Sequence, residues 1–190
     1  MDSTEKSKRI KIFIPFSSTL NTGDAGILIS TLNSIQREFG QHAEVLVGSH
    51  QANTAKKHYK QVNYMKYADN LNDRIFSRGL TRIPRDYFIL FYRKLTGSMP
   101  AIFLTGYEKQ MIREIKKSDL VLAPGGGYLT DVYFLQFNLA LFSWILKKQK
   151  KNLVFYSQSI GPFWKKQTLK HLKFILQKSN SVILRDFESA

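Results

Sequence analysis

The stretch that most limits how this chain can fold is residues 118–131, SDLVLAPGGGYLTD. A short apolar run, Leu120–Ala123, meets Pro124 and three consecutive glycines, and an apolar, aromatic segment follows at 133–146. Four apolar residues closed by proline and glycine read as a buried strand. The longer segment reads as a helix, with the glycines as the turn between them. Adjacent glycines tolerate positive φ and let another molecule come close to the main chain. A helix starting directly after the turn would add an anion site at its first N–H groups. The same turn also serves tight strand–helix packing, so a binding and a purely structural reading both stand.

The pattern recurs along the chain. Residues 10–16, 43–47, 153–157 and 181–184 are further strand-like runs. Between them lie helical patterns. One reaches Phe39, is capped by Asp24 or Thr22 and is ended by Gly40; others run from 53 to about 65, from 107 to 117 and from 164 to 178. Strands alternating with helices predict an α/β domain over residues 10–190, a mainly parallel sheet flanked by helices. Residues 1–9 read as a polar, flexible tail. Residues 73–95 break the rhythm, inside a basic helical insertion at about 66–106. They interleave arginines with Ile75, Phe76, Leu80, Phe88 and Phe91. One reading is surface helices with a basic outer face; the other is an interfacial helix resting on anionic lipid. Pro84 argues against a single uninterrupted helix.

Composition narrows the function classes. The chain has no cysteine, which removes disulfides, thiolate metal sites and cysteine nucleophiles. His42, His50, His58 and His171 are scattered, and none forms a set at metal spacing, so no metal and no cofactor is expected. A formal net charge of +15 points to anionic partners. No nucleic-acid motif accompanies that charge, so nucleic acid is not among the expected partners. The 133–146 segment is too short to span a bilayer, and the N-terminus lacks a signal-peptide pattern.

In open parallel sheets, ligands bind beyond the carboxyl ends of the strands. Each apolar run here ends in a cluster suited to that edge. In order, these are Asn21, Gly23 and Asp24; Ser49 and His50; Gly125, Gly126 and Gly127; Gln158, Ser159 and Gly161; and Arg185 with Asp186. Each has an alternative reading as a turn or cap, but five at one edge favour a ligand cleft. The dinucleotide fingerprint fails, because Thr130 occupies the third glycine position and no acidic residue follows at ribose distance. Ser159 lacks a glycine-flanked elbow, against a serine hydrolase.

As a set, NTGDAGILISTLNSI (21–35), SDLVLAPGGGYLTD (118–131), YSQSIGPF (156–163) and VILRDFESA (182–190) resemble the polysaccharide pyruvyl transferase family. The resemblance implies a Rossmann-like N-terminal domain, one half of a two-domain fold like the GT-B glycosyltransferases. It also implies transfer of a pyruvyl group from phosphoenolpyruvate to two sugar hydroxyls, forming a ketal in exopolysaccharide or cell-wall glycan biosynthesis. The expected partners are phosphoenolpyruvate, a sugar or lipid-linked glycan acceptor, a C-terminal-half chain and an anionic membrane surface, with the work done in the cytoplasm. The chain stops where a C-terminal domain is expected, so it is either inactive alone or completed by that separate chain. Asp24 and Asp131 are the catalytic candidates, for hydroxyl orientation or base work, each with a helix cap as its alternative. Asn21, Gly23, Gly125, Gly126, Gly127, Gln158, Ser159 and Arg185 are the substrate-binding candidates. Arg185 is assigned to the donor's anionic groups. Two further readings remain: a GT-B-type glycosyltransferase using a nucleotide sugar, and a non-catalytic module binding a glycan or protein partner.

Overall fold

The computed structural model describes residues 9–19, 21–49, 51–59, 62–66, 75–132 and 135–185, with 58 and 75–83 described by backbone alone. Residues 1–8 of the expected tail, His50 and Asp186 lie outside the described residues.

Apolar strands that bury both faces must be covered by helices on both sides, and the chain does this. Its strands are β1 (Ile10–Ser17), β2 (Ala43–Ser49), β3 (Asn63–Lys66), β4 (Leu120–Ala123), β5 (Gly126–Leu129), β6 (Asn152–Ile160) and β7 (Ser181–Leu184). Every pairing among them is parallel. The order runs β3-β2-β1-β4-β6, with β5 and β7 both attached to β6. All carboxyl ends therefore meet at one edge, as the alternation predicts.

Successive strand residues point to opposite faces. Ile12, Ile14, Val47 and Leu122 pack under α1 (Thr22–Phe39) and α2 (Ala52–His58). Phe13, Val121, Ala123, Leu153 and Phe155 face the other way. They pack under α3 (Ile75–Thr96), α4 (Gly106–Lys117), α5 (Gln136–Trp144) and α6 (Lys166–Lys178). On this second face Phe142 and Phe155 are wholly buried, their rings 5.1 Å apart and 69° from parallel. Truncating either to alanine costs about 3–5 kcal/mol.

The glycine segment departs from the expected strand–turn–helix. Leu120 faces Asn152 and Gly126 faces Gln158, the same 32-residue offset. On the residues they share with β7, β4 and β5 both lie opposite it across β6. Hence β4 and β5 are one strand line, interrupted at Pro124 and Gly125. No helix opens directly after the glycines; α5 begins only at Gln136. The long strand β6 accounts for this, since it offers pairing beyond Phe155 that glycine's weak strand preference does not advertise.

Other boundaries shift for local reasons. Asn21 caps α1 in place of Asp24 or Thr22. Its backbone is extended (φ −84°, ψ 122°) and its side chain accepts the Gly23 N–H at 3.0 Å. Gly40 closes that helix at φ 53°, a left-handed conformation that suits glycine. The second helix stops at His58 rather than near 65, and Asn63–Lys66 instead adds the edge strand β3. The run Ser181–Leu184 forms an edge strand: among the described residues β7 pairs only with β6, and Ile183 is exposed. Pro84 lies inside a continuous α3. The helix carries the missing donor because tertiary ties follow at once. Arg85 bridges Asp86 at 2.8 Å and Glu108 of α4 at 2.9 Å, and Arg93 donates to the Ser143 carbonyl at 2.7 Å.

Candidate functional site

The carboxyl edge is built from unusual backbone. Phe16 at the end of β1 has φ 62°, Ser157 in β6 has φ 57°, and Gly126 has φ 143°. Non-glycine residues held at positive φ store strain, and such positions cluster at functional sites. Neither phenylalanine nor serine signals such a backbone, so the sequence offered no warning at 16 or 157.

The three glycines are not equivalent. A Cβ on Gly125 would lie 2.5 Å from the Ser157 carbonyl oxygen and 2.7 Å from Ile27 Cγ2, so close packing of β6 and α1 requires glycine there. Gly126 requires glycine for its φ. Among the described residues, a Cβ on Gly127 would meet nothing within 4 Å. Internal packing does not explain the third glycine, and it opens on free space.

Asp24 sits in the first turn of α1 and turns toward this segment. Its Oδ1 lies 3.8 Å from where a Cβ on Gly126 would be. Asn21 already supplies the cap, and Gly23 N–H is spent on it. The Asp24 carboxylate is thereby left half-buried beside Gly126 without a capping duty.

Gln158 is wholly buried. Its Nε2 donates to the Pro124 carbonyl and to Tyr128 Oη at 3.1 Å. It fastens the strand interruption from beneath, and among the described residues its Oε1 has no hydrogen-bond partner. Ser159 is half-buried on the same strand. Arg185 follows β7, and its N–H donates to the Gln158 carbonyl at 2.9 Å. Its side chain is exposed and, among the described residues, has no ion-pair partner. Arg185, Gln158 and Gly126 are thus neighbours across three strand lines. Two strand spacings, about 10 Å, separate the first from the last, a gap that an extended arginine largely crosses.

Asp131 stands apart from this line. It is buried, and its Oδ2 accepts the N–H of Trp164 at 2.8 Å and of Lys165 at 2.7 Å. Burial alone would raise its pKa. The N–H bonds from Lys165 and Trp164, a hydrogen bond from Thr168 and the charge of Lys165 outweigh burial and lower it. The carboxylate ties down Trp164 and Lys165, the two residues that lead into α6, rather than capping the next helix in sequence. Among the described residues, no group of three His, Asp or Glu side chains could hold a metal ion.

The profile described as polysaccharide pyruvyl transferase matches residues 21–190. Over 92 residues the chain is 31% identical to the amylovoran biosynthesis protein AmsJ of Erwinia amylovora. That match covers 48% of this chain and 21% of AmsJ, so the chain spans about a fifth of the relative's length. Among solved structures, MurG of Acinetobacter baumannii superposes with a TM-score of 0.44 at 11% identity, covering 92% of this chain and 41% of MurG.

Proposed function

The chain belongs to the polysaccharide pyruvyl transferase family, and on that premise we propose that its carboxyl edge forms the glycan-facing half of a ketal-forming pyruvyl transfer site. The donor in this reading is phosphoenolpyruvate, a cytoplasmic metabolite, and the acceptor is a sugar of an exopolysaccharide or cell-wall glycan. The observation that carries it is the Asp24 carboxylate beside Gly126 and the open Gly127, in line with Arg185.

The reaction adds one sugar hydroxyl to C2 of the enol while a proton is delivered to C3. The C2–O–phosphate bond then breaks, and a second hydroxyl closes the ketal. One hydroxyl proton thus balances the methyl group, and the other leaves with inorganic phosphate. Asp24 suits the orientation and deprotonation of an acceptor hydroxyl. Arg185 offers a planar fork of donors to the phosphate or carboxylate of the donor. Gly127 lets the sugar approach the main chain without a side chain in the way. Asp131 serves the site by holding Trp164 and Lys165, the two residues that lead into α6.

The test uses purified chain with phosphoenolpyruvate and a panel of glycan acceptors, alone and with C-terminal-half chains of the family. The expected result is phosphate release matched by a pyruvyl ketal on the acceptor. Absence of phosphate release in every combination would refute the proposal. Saturable binding of a nucleotide sugar without binding of phosphoenolpyruvate would replace it with glycosyl transfer.

A further inference from the structure

The second helical face carries a feature that the transfer site does not use. Along α3, Tyr87, Phe88, Phe91 and Leu95 recur at helical spacing on the outward side, and Phe91 and Leu95 are 58% and 69% exposed. An amphipathic surface helix normally turns polar residues outward. The stripe continues past the helix, where Phe103 packs against Phe88 with ring centroids 4.7 Å apart and the rings tilted by 57°, and Ile102 is 85% exposed. Across a groove of about 420 Å³, lined by Tyr87, Leu90, Phe91 and Leu139, stands the start of α6. Lys94, Lys165 and Lys166 line the same groove and are exposed, and the exposed Trp164 precedes them.

Charge on this face is one-sided. His171 also lines the groove, and burial together with Lys94, Lys170, Arg93 and Lys147 lowers its pKa. Among the described residues, no acidic side chain lines the groove. Exposed aromatic and aliphatic side chains ringed by lysines match the layering of a lipid interface, with acyl chains below and anionic headgroups above. No helix among the described residues is long and apolar enough to cross a membrane, so such contact would be peripheral.

We propose that the face formed by α3 and the start of α6 docks on an anionic phospholipid leaflet. Tyr87, Phe91, Leu95 and Trp164 enter the interface, and Lys94, Lys165 and Lys166 meet the headgroups. This surface is independent of the pyruvyl transfer chemistry. It lies beside that edge, because Lys165, whose N–H is held by Asp131, also lines the groove.

The test is flotation of the full chain at physiological ionic strength with phosphatidylglycerol-containing vesicles or with pure phosphatidylcholine vesicles. Binding is expected to the first and not to the second. Replacing Lys94, Lys165 and Lys166 with glutamine should lower the partition on the order of a hundredfold. The same loss of charge on the opposite face, Arg37, Lys56 and Lys57 to glutamine, should leave most of it. A second measurement needs no variant. Brominated acyl chains should quench the exposed Trp164 while the buried Trp144 stays bright. A chain that remains unbound, binds both vesicle types equally, loses as much partition from the control face, or shows no quenching overturns the proposal and leaves the face to a protein partner.

Discussion

Substituting alanine for glycine at 125, 126 and 127 in turn separates packing, backbone conformation and ligand access within three adjacent residues. At 125 the new methyl group would sit 2.5 Å from the Ser157 carbonyl oxygen, 2.7 Å from Ile27 Cγ2 and 3.0 Å from Ser157 Cβ. Ordinary contact begins near 3.4 Å, so β6 and α1 must each give way by more than half an ångström. Neither partner is the loose end of a flexible chain: one is backbone, the other a β-branched side chain on a helix. Overpacking of this kind costs about 1–3 kcal/mol. For a chain of this size that lowers Tm by roughly 2–12 °C, at about 2–4 °C per kcal/mol. At 126 space is available, but φ 143° must be abandoned or strained, at about 1–3 kcal/mol. At 127 the methyl group meets nothing. Gly127→Ala should therefore be neutral or raise stability by a few tenths to about 1 kcal/mol through the unfolded chain. Urea denaturation followed by circular dichroism, with slopes checked for two-state behaviour, provides the three values. A Gly125→Ala protein as stable as wild type would refute the packing argument. A Gly127→Ala protein that is stable and keeps full donor and acceptor affinity would refute the role of the open position.

Asp24→Asn keeps the shape of the side chain and should leave the unfolding free energy within about 1 kcal/mol of wild type, since only a favourable charge in the first turn is lost. Phosphate release in the active assembly should fall by about 10²–10⁴-fold, and an unchanged rate would remove Asp24 from the chemistry. Arg185→Lys keeps the charge and loses the fork, so donor affinity measured by calorimetry should weaken by about 1–3 kcal/mol; Tm should hold, because the backbone N–H makes the tie to Gln158. The pKa of Asp131 is lowered in the fold, so the stability it contributes is complete above the ordinary carboxylate pKa and is lost as pH falls through the folded value. His171, also lowered, adds a loss in the same direction as pH falls below its ordinary value of 6.5. Asp131→Asn should flatten the acidic limb of a Tm–pH profile and His171→Gln the limb nearer neutrality. A profile unchanged by either would contradict the assignments.

What the residues disclosed and what they hid follow from the reach of the interactions involved. The carboxyl-edge alignment was legible because it rests on local alternation: the apolar runs are parallel strands, so their carboxyl ends share one edge, although Gly126, Gly127, Gln158 and Ser159 proved to lie within strands. Arg185 could be placed at that edge for the same reason. The β5 strand was not legible, because Gly126 and Gly127 resist extended pairing and yield only to β6, a partner about thirty residues away in sequence. Pro84 misled because the ties that hold α3 together, Arg85 to Glu108 and Arg93 to Ser143, are likewise distant. Asp131 read as a site carboxylate or as the cap of the next helix, and neither reading could disclose that Trp164 and Lys165 arrive beside it from about thirty residues away. Gln158 read as a ligand contact because a polar residue at a strand end usually faces solvent. Only the structure shows it enclosed beneath Pro124.

The strand interruption at Pro124 and Gly125 also sets how the edge can deform. β5 is fastened along one side, to β6, while its other side looks toward the start of α1. It is a cantilever clamped at Gln158. Motion of its outer side relative to Asp24 breaks no strand pairing, whereas motion of β6 would disturb three neighbours at once. Changes in the width between Asp24 and Gly126 should therefore be soft, and changes between Gly126 and Arg185 stiff. A guest of variable girth would be accommodated on the Asp24 side, and one of fixed length would be measured on the other.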